Sequence, residues 1–352
     1  MRFARALAPA AAALFVAAAC GGAQPAPSPT IAAPTTAATT APTVAATPAS
    51  KYPEKGIALM APAAAGGGFD TTARLVARAM TEDKIVSVPV TVSNVAGAGG
   101  VTGMTQVIKN NAGDPYQLIV VGRVTLGNQV TGKTEAKVSQ LTPIARLMAE
   151  SDVIVTPKDS PFKTIKDLMD ALKKDANSVK FAGGSAGGID HELAARLVKA
   201  AGGDVKTWKG YVPFAGGGEA AAAIIGGQVQ VGISGYGEFK THIDSGNMKA
   251  LAVSADKPLS GAAASKIPTL KSAGVDIVLI NWRLLAAPPN IKEADLKALQ
   301  DIAKKVAATN TWKDFATKND WFDNFTTDGL PAYIAGEEKD LTTTLTDLGL
   351  VK

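Results

Sequence analysis

The chain has 352 residues, 46% of them hydrophobic and 19% charged, with a formal net charge of +5, one cysteine and two histidines. A lone cysteine excludes an internal disulfide, and two separated histidines leave no zinc ligand set. A weak positive bias without basic runs or interleaved aromatics argues against a nucleic-acid groove.

The N-terminus reads as an address. Arg2 and Arg5 precede a charge-free apolar stretch over residues 6–19, too short to span a bilayer and laid out as an export signal. It ends in Ala-Ala-Ala-Cys followed by Gly21 and Gly22, which resembles a bacterial lipoprotein processing box, although Ala17 stands where leucine is commonest. On that reading Cys20 is lipidated and becomes the new N-terminus. The plainer reading is an ordinary secretory signal cut near Cys20. Both export the protein, and loss of Arg2 and Arg5 lowers the formal charge from +5 to +3. Residues 21–50 are rich in Ala, Pro and Thr and carry no charge. Such a segment cannot bury enough surface to offset its ordering entropy, so a disordered tether is predicted over 21–51. After residue 20 no apolar run is long and pure enough to cross a membrane.

From residue 52 onward, strand-like and helix-like runs alternate. Short apolar runs at 57–61, 88–92, 118–121, 153–156, 179–182, 229–233, 251–254 and 275–280 read as strands. Amphipathic stretches at 71–80, 101–109, 165–173, 190–200, 219–225 and 294–308 read as helices; Leu75, Val76, Ala79 and Met80 have the spacing of a helix laid on a sheet. This alternation predicts a largely parallel sheet with ligands at the carboxyl ends of its strands. The runs at 153–156 and 251–254 are the natural crossings between two lobes, one formed by 52–153 with 256–352 and the other by 154–255.

Four glycine-rich clusters, at 66–68, 97–100, 183–188 and 216–218, each lie between a strand-like and a helix-like run. Amides at a helix start lack partners and carry partial positive charge, so such loops suit a small polyanion. Glycine as turn punctuation explains any one cluster; four in corresponding places call for more. None fits the dinucleotide fingerprint and no P-loop follows, so no nucleotide or other cofactor is expected. Asp70 reads first as a helix cap. Gly183, Ser185 and Gly187 fit the nucleophile-elbow pattern, which keeps open an exported serine hydrolase using Ser185, with His242 as base and Glu219 or Glu238 as orienting acid. His191 lies in the helix the elbow would open, too close to serve easily.

The segments YPEKGIALMAPAAAGGGFDTTARLVARAM, VSNVAGAGGVTG, FAGGSAGGIDHELAA, YVPFAGGGEAAAAIIGGQVQVGISGYGEF and VLINWRLLAAPP together resemble the receptor family of tripartite tricarboxylate transporters across the whole mature chain. Departures exist: many relatives carry proline at the place of Ala65 and Arg-Pro at that of Val95 and Ala96. The resemblance implies an α/β, two-lobed periplasmic-binding-protein-like fold of type II, each lobe a mostly parallel sheet flanked by helices. It implies no enzymatic activity, and capture of a citrate-like di- or tricarboxylate for membrane permease subunits, by a monomer tied to the membrane only through its lipid. The loops matching Pro62, Gly67, Gly68 and Asp70, and Ala98 and Gly99, would supply donors from one lobe. Those matching Gly184, Ser185, Ala186, Gly187 and His191, and Gly216 and Gly217, would face them. Ser234, Tyr236 and Arg123 are expected to add contacts, Trp282 to wall the cleft, and Arg283 stands beside a strand end as a weaker candidate. Four helix termini contribute about 1–4 kcal/mol to an anion, whereas micromolar capture needs about 8, so closure of the lobes must supply the rest.

Overall fold

The computed structural model describes residues 51–351; the export signal, Cys20 and all of the predicted tether but its last residue lie outside them. The first lobe opens with β1 (Ile57–Ala61), α1 (Gly68–Glu82), β2 (Val90–Asn94), α2 (Val101–Asn110), β3 (Gln117–Gly122) and α3 (Arg123–Gly132). The long strand β4 (Thr142–Pro157) then leads into α4 (Ile165–Lys174), β5 (Phe181–Gly183), α5 (Ile189–Ala200), β6 (Tyr211–Pro213), α6 (Gly217–Ile225), β7 (Val231–Gly235), α7 (Tyr236–Asp244) and β8 (Met248–Val253). The chain finishes with β9 (Ile280–Ala287), α8 (Glu293–Ala308), α9 (Asn310–Lys318) and α10 (Leu330–Asp347).

Strand order is β2-β1-β3-β9-β4-β7-β5-β6, with β8 also on β4. Within each lobe the strands followed by helices run parallel, β2-β1-β3 in one and β7-β5-β6 in the other. The antiparallel strands collect in the middle, where the first half of β4 pairs with β9 and its second half with β7 and β8. One strand thus belongs to both sheets and joins the two lobes. This is the two-lobed α/β fold.

Alternation along each strand splits its side chains between two layers. Leu118 and Val120 join the cluster under α1 and α8, while Ile119 and Val121 face α2, α3 and α10. In the second lobe Ile154 packs under α4 and α5, and its neighbours Val153 and Val155 under α6 and α7. In α1, Phe69, Ala73, Val76, Ala77 and Met80 return to one face at helical spacing and are buried.

Two differences from the sequence reading have physical causes. Residues 275–280 look like a strand because Val275, Ile277 and Leu279 alternate, yet the strand is Ile280–Ala287 and those three side chains plug the second lobe's core. Residues 256–279, expected in the first lobe, likewise pack on the second: Leu259 and Ile267 join one of its clusters and Leu270 the other. Apolar alternation records burial, and here the buried segment wraps its lobe before the chain returns through β9.

Candidate functional site

The carboxyl ends of β1, β3, β5, β6 and β7 each run into a helix start within a few residues. Between the lobes these turns enclose a cavity of about 170 Å3. Its first-lobe wall is Pro62, Ala63, Gly67, Gly68, Phe69, residues 97–100 and Val124; its second-lobe wall is Gly184, Ser185, Gly188, Ile189, Asp190, residues 214–217, Ser234, Gly235 and Glu238; Asn281 and Arg283 reach it from β9.

The rim is backbone. Among the described residues the amides of Gly68, Phe69, Ala98, Gly99, Ser185 and Gly216 receive no acceptor from the chain. They come from both lobes. At 98–100 the backbone is left-handed, with φ of 45° at Ala98, 58° at Gly99 and 98° at Gly100, so α2 is entered through a strained turn instead of an ordinary cap. A non-glycine residue in that region costs about 1 kcal/mol and persists only where its surroundings enforce it.

Other loop amides, expected to be free, are occupied by the chain's own groups. Gly66 donates to Asp70 Oδ2 at 2.9 Å, Gly184 to Asp190 Oδ2 at 2.6 Å, Gly217 to Glu238 Oε2 at 3.0 Å and Gly187 to His191 Nδ1 at 3.0 Å. A helix start attracts any nearby carboxylate, and an internal one needs no capture from solution. These side chains therefore shape the loops.

Beneath the rim lies a charged floor. Arg283, with only 2% of its surface exposed, bonds through Nη2 to Glu150 Oε1 and stands 3.8 Å from Glu238 Oε1. Glu150 is further held by Trp321 Nε1 at 3.0 Å. Asp152, fully buried below, has no partner on either carboxylate oxygen. Glu150 and Glu238 thus stand against one guanidinium, whose charge also acts on Asp152 and Asp190. Burial, reinforced by neighbouring carboxylates, pushes Glu238 up to about 8. Burial raises Asp190 to about 7 against the opposing bond from Gly184, and burial holds Asp152 well above the usual carboxylate range. Asn281 gives its Nδ2 to Glu150 at 3.5 Å, which leaves a buried Oδ1 with no donor.

Ten expected site residues line the cavity: Pro62, Gly67, Gly68, Ala98, Gly99, Gly184, Ser185, Gly216, Gly217 and Ser234. Seven do not. Asp70 is 3% exposed and ties Gly66, Arg74 and Asn94 together behind the loop. Ala186 is exposed, and Gly187 packs under Thr131 with φ of 85°. The His191 ring stacks on Tyr211 with centroids 4.3 Å apart. Tyr236 is 2% exposed and packs with Phe239 in the core under α6 and α7. Arg123 and Trp282 lie on the far side of the crossing strands, in a second cavity, where both bond Glu337. Asp190, Glu238 and Asn281 were not among the expected ligand contacts. Two of them carry a legible signal, an acid in the first turn of a helix that follows a glycine-ended strand.

Ser185 Oγ accepts from Asn128 Nδ2 at 3.0 Å, and among the described residues neither histidine bonds it. Burial lowers His191 to about 4, so it is neutral near pH 7. Among the described residues no group of three or more His, Cys, Asp or Glu is placed to hold a metal ion.

A model of the tripartite tricarboxylate transporter family receptor matches residues 72–334. The chain belongs to that family. A UPF0065 protein from the TAR-I ttuE-ttuC' intergenic region of Agrobacterium vitis is 31% identical over 260 residues, 72% of each chain. Protein BugT of Bordetella pertussis is 29% identical over 246 residues, 68% of this chain and 72% of that one. In fold, this receptor-family chain superimposes on the periplasmic binding protein BugD with a TM-score of 0.76 at 23% identity, covering 86% of this chain and all of that one. MatC from Rhodopseudomonas palustris, solved with malate, gives 0.75 at 22% identity, covering 84% of this chain and 100% of that one. A second R. palustris protein, solved with adipate, gives 0.77 at 18% identity, covering 85% and 98%.

Proposed function

We propose that the protein is an extracytoplasmic solute-binding receptor that closes its lobes over a small carboxylate, of the di- or tricarboxylate kind, and delivers it to membrane permease subunits. One observation carries this reading: six unpaired amides from both lobes border a single cavity. Each is worth little alone, but all are withdrawn from water together once the lobes close, and hydrogen bonds to an ionised carboxylate are the strong kind. Malate and adipate in structures of the same fold agree with that chemistry. A ligand touching both lobes binds the closed form better than the open one, and closure marks it for transfer.

Delivery to a membrane partner requires export, which the N-terminal layout supplies, with lipidation at Cys20 as the anchor and the segment 21–51 as its tether. The hydrolase alternative lacks support in the geometry of Ser185, whose Oγ pairs with an amide and not with a base. The test is to incubate the mature protein with a carboxylate panel while following its melting temperature and tryptophan fluorescence. Saturable stabilisation with the ligand recovered unchanged is expected. Turnover of ester substrates that disappears in Ser185→Ala would contradict the receptor reading.

A further inference from the structure

Val124, Gly127, Asn128 and Thr131 recur at intervals of three and four residues and so share one face of α3. Across the cleft this face meets residues 185–188, the loop that opens α5 in the other lobe. Asn128 donates to Ser185 Oγ at 3.0 Å, a methyl group at Gly187 would overlap Thr131 Oγ1, and one at Gly188 would lie 3.3 Å from Val124 Cγ1. The two backbones themselves meet at Gly127, where a methyl group would lie 2.6 Å from the Gly187 carbonyl oxygen. Gly127 is buried within a helix, a position where alanine is the better helix former, so local propensity argues against glycine and close approach argues for it. The Gly187 peptide is braced from behind. Its amide donates to His191 Nδ1 at 3.0 Å, the His191 ring stacks on Tyr211, and the Tyr211 hydroxyl donates to Gly184 O at 2.8 Å. None of Gly127, Gly187 and His191 lines the cavity.

We propose that Gly127 and Gly187 form the stop at which the lobes come to rest, and that His191 holds that stop in place, making all three positioning residues for ligand capture. This deepens the receptor reading and rests on it. Asn128 carries the position of the stop to the rim: a methyl group at Gly99 would overlap its Nδ2, and the same nitrogen bonds Ser185 on the other lobe. Gly99 and Ser185 both present free amides, one from each side. A methyl group at Gly127 would push the backbones apart from 2.6 Å toward the 3.4 Å at which ordinary contact begins. Hydrogen bonds of about 2.7–3.2 Å from both lobes to one ligand do not survive such a stretch together. With the lobes apart the same methyl group has no such neighbour, so the cost falls on closure and not on folding.

Titration calorimetry with malate, adipate and citrate tests this on the mature protein, on Gly127→Ala and Gly127→Leu, and on Gly336→Ala as a control, since Gly336 is a glycine of α10 with open space around it. For whichever acid the wild type binds, Gly127→Ala is expected to weaken binding at least tenfold and Gly127→Leu further, with Gly336→Ala within twofold. Gly127→Ala should unfold in urea no earlier than the wild type. His191→Phe keeps a ring on Tyr211 but loses the acceptor, and should bind at least threefold more weakly; His191→Asn, whose Oδ1 can take the place of Nδ1, should bind more tightly than His191→Phe. Solution scattering needs no ligand, and Gly127→Leu should show a larger radius of gyration than the wild type. Wild-type affinity in both Gly127 variants overturns the stop and leaves the receptor standing. Weaker binding with earlier urea unfolding of Gly127→Ala marks a folding defect and also overturns the stop. If the wild type binds none of the acids, the receptor reading fails, and the radius of gyration of Gly127→Leu then decides the stop alone, an unchanged value overturning it.

Discussion

A methyl group on Gly68 would overlap the Nη2 of Arg283 and lie 2.8 Å from Glu238 Oε1. Both are buried and bonded, so neither can swing aside cheaply. Gly68→Ala is therefore expected to weaken ligand binding at least tenfold and to cost about 1–3 kcal/mol of stability, read by calorimetry and urea unfolding. Asp70 is a different kind of residue. Burial opposes its ionisation, but bonds from Arg74, Gly66 and Asn94 outweigh that and keep its carboxyl below the usual range. Its contribution is therefore present above the ordinary carboxylate pKa near 4 and lost as pH falls through its lower folded value. Asp70→Ala should destabilise the protein by about 1–3 kcal/mol at pH 7 through the loss of charged hydrogen bonds. At this scale the sequence was informative wherever backbone did the work. Glycine runs between strand and helix marked the rim because few other residues let a chain turn so tightly. The floor showed in the sequence only as first-turn acids, Asp190 and Glu238, after glycine-ended strands, and only the fold brings them to one guanidinium.

Among the elements, α3 and α5 form the clasp between lobes. Arg123 at the start of α3 donates through Nη2 to both oxygens of Glu192 at 3.1 Å and through Nη1 to Glu337 Oε2 on α10 at 2.9 Å. Glu192 is 1% exposed and is shared with Arg196 at 2.7 Å. Five residues further along α3, Asn128 reaches Ser185 across the cleft. Removing one partner from a buried pair leaves the other charge uncompensated, at about 3–5 kcal/mol. Because Arg196 remains on Glu192, Arg123→Ala is expected near the lower end, about 3 kcal/mol by chemical denaturation. The variant should also show a larger radius of gyration in solution scattering, since the lobes lose a tie. Arg123 beside a strand end was expected among the ligand contacts, but which side of the sheet it faces depended on β4 running through both sheets with β9 beside its first half. Strand β9 was the harder element to see. Its sequence INWRLLAA places Asn281, Trp282 and Arg283 in a buried strand, where a pattern based on apolar alternation looks one segment too early.

For the whole molecule, stability should carry the signature of the buried floor. In the unfolded chain Asp190 and Glu238 lose their protons near pH 4, whereas in the folded protein they keep them until about 7 and about 8. The folded state then binds more protons throughout that interval, so stability falls as pH rises. His191 acts with the opposite sign, but only below pH 6.5, where the unfolded chain takes a proton that the buried ring refuses until about 4. Between pH 6.5 and 8.5 the carboxyls outweigh the fading histidine effect, and the melting temperature of the unliganded protein should drop by several degrees. Glu238→Gln should flatten that slope. Two lobes were foreseeable from alternating elements and the family resemblance, but of the two crossings expected the run 251–254 stays in the second lobe, mostly in β8 beside β4, and the chain returns through β9 instead. The allegiance of residues 256–279 was not foreseeable, because wrapping a lobe and entering the other look alike in one dimension.

The most direct measurement is a crystal structure of the mature protein with a bound carboxylate ligand. The account predicts carboxylate oxygens within about 2.7–3.2 Å of amide nitrogens from both rims, Gly68 or Gly99 on one side and Ser185 or Gly216 on the other. A ligand held by side chains of one lobe alone, with those amides facing water, would contradict it.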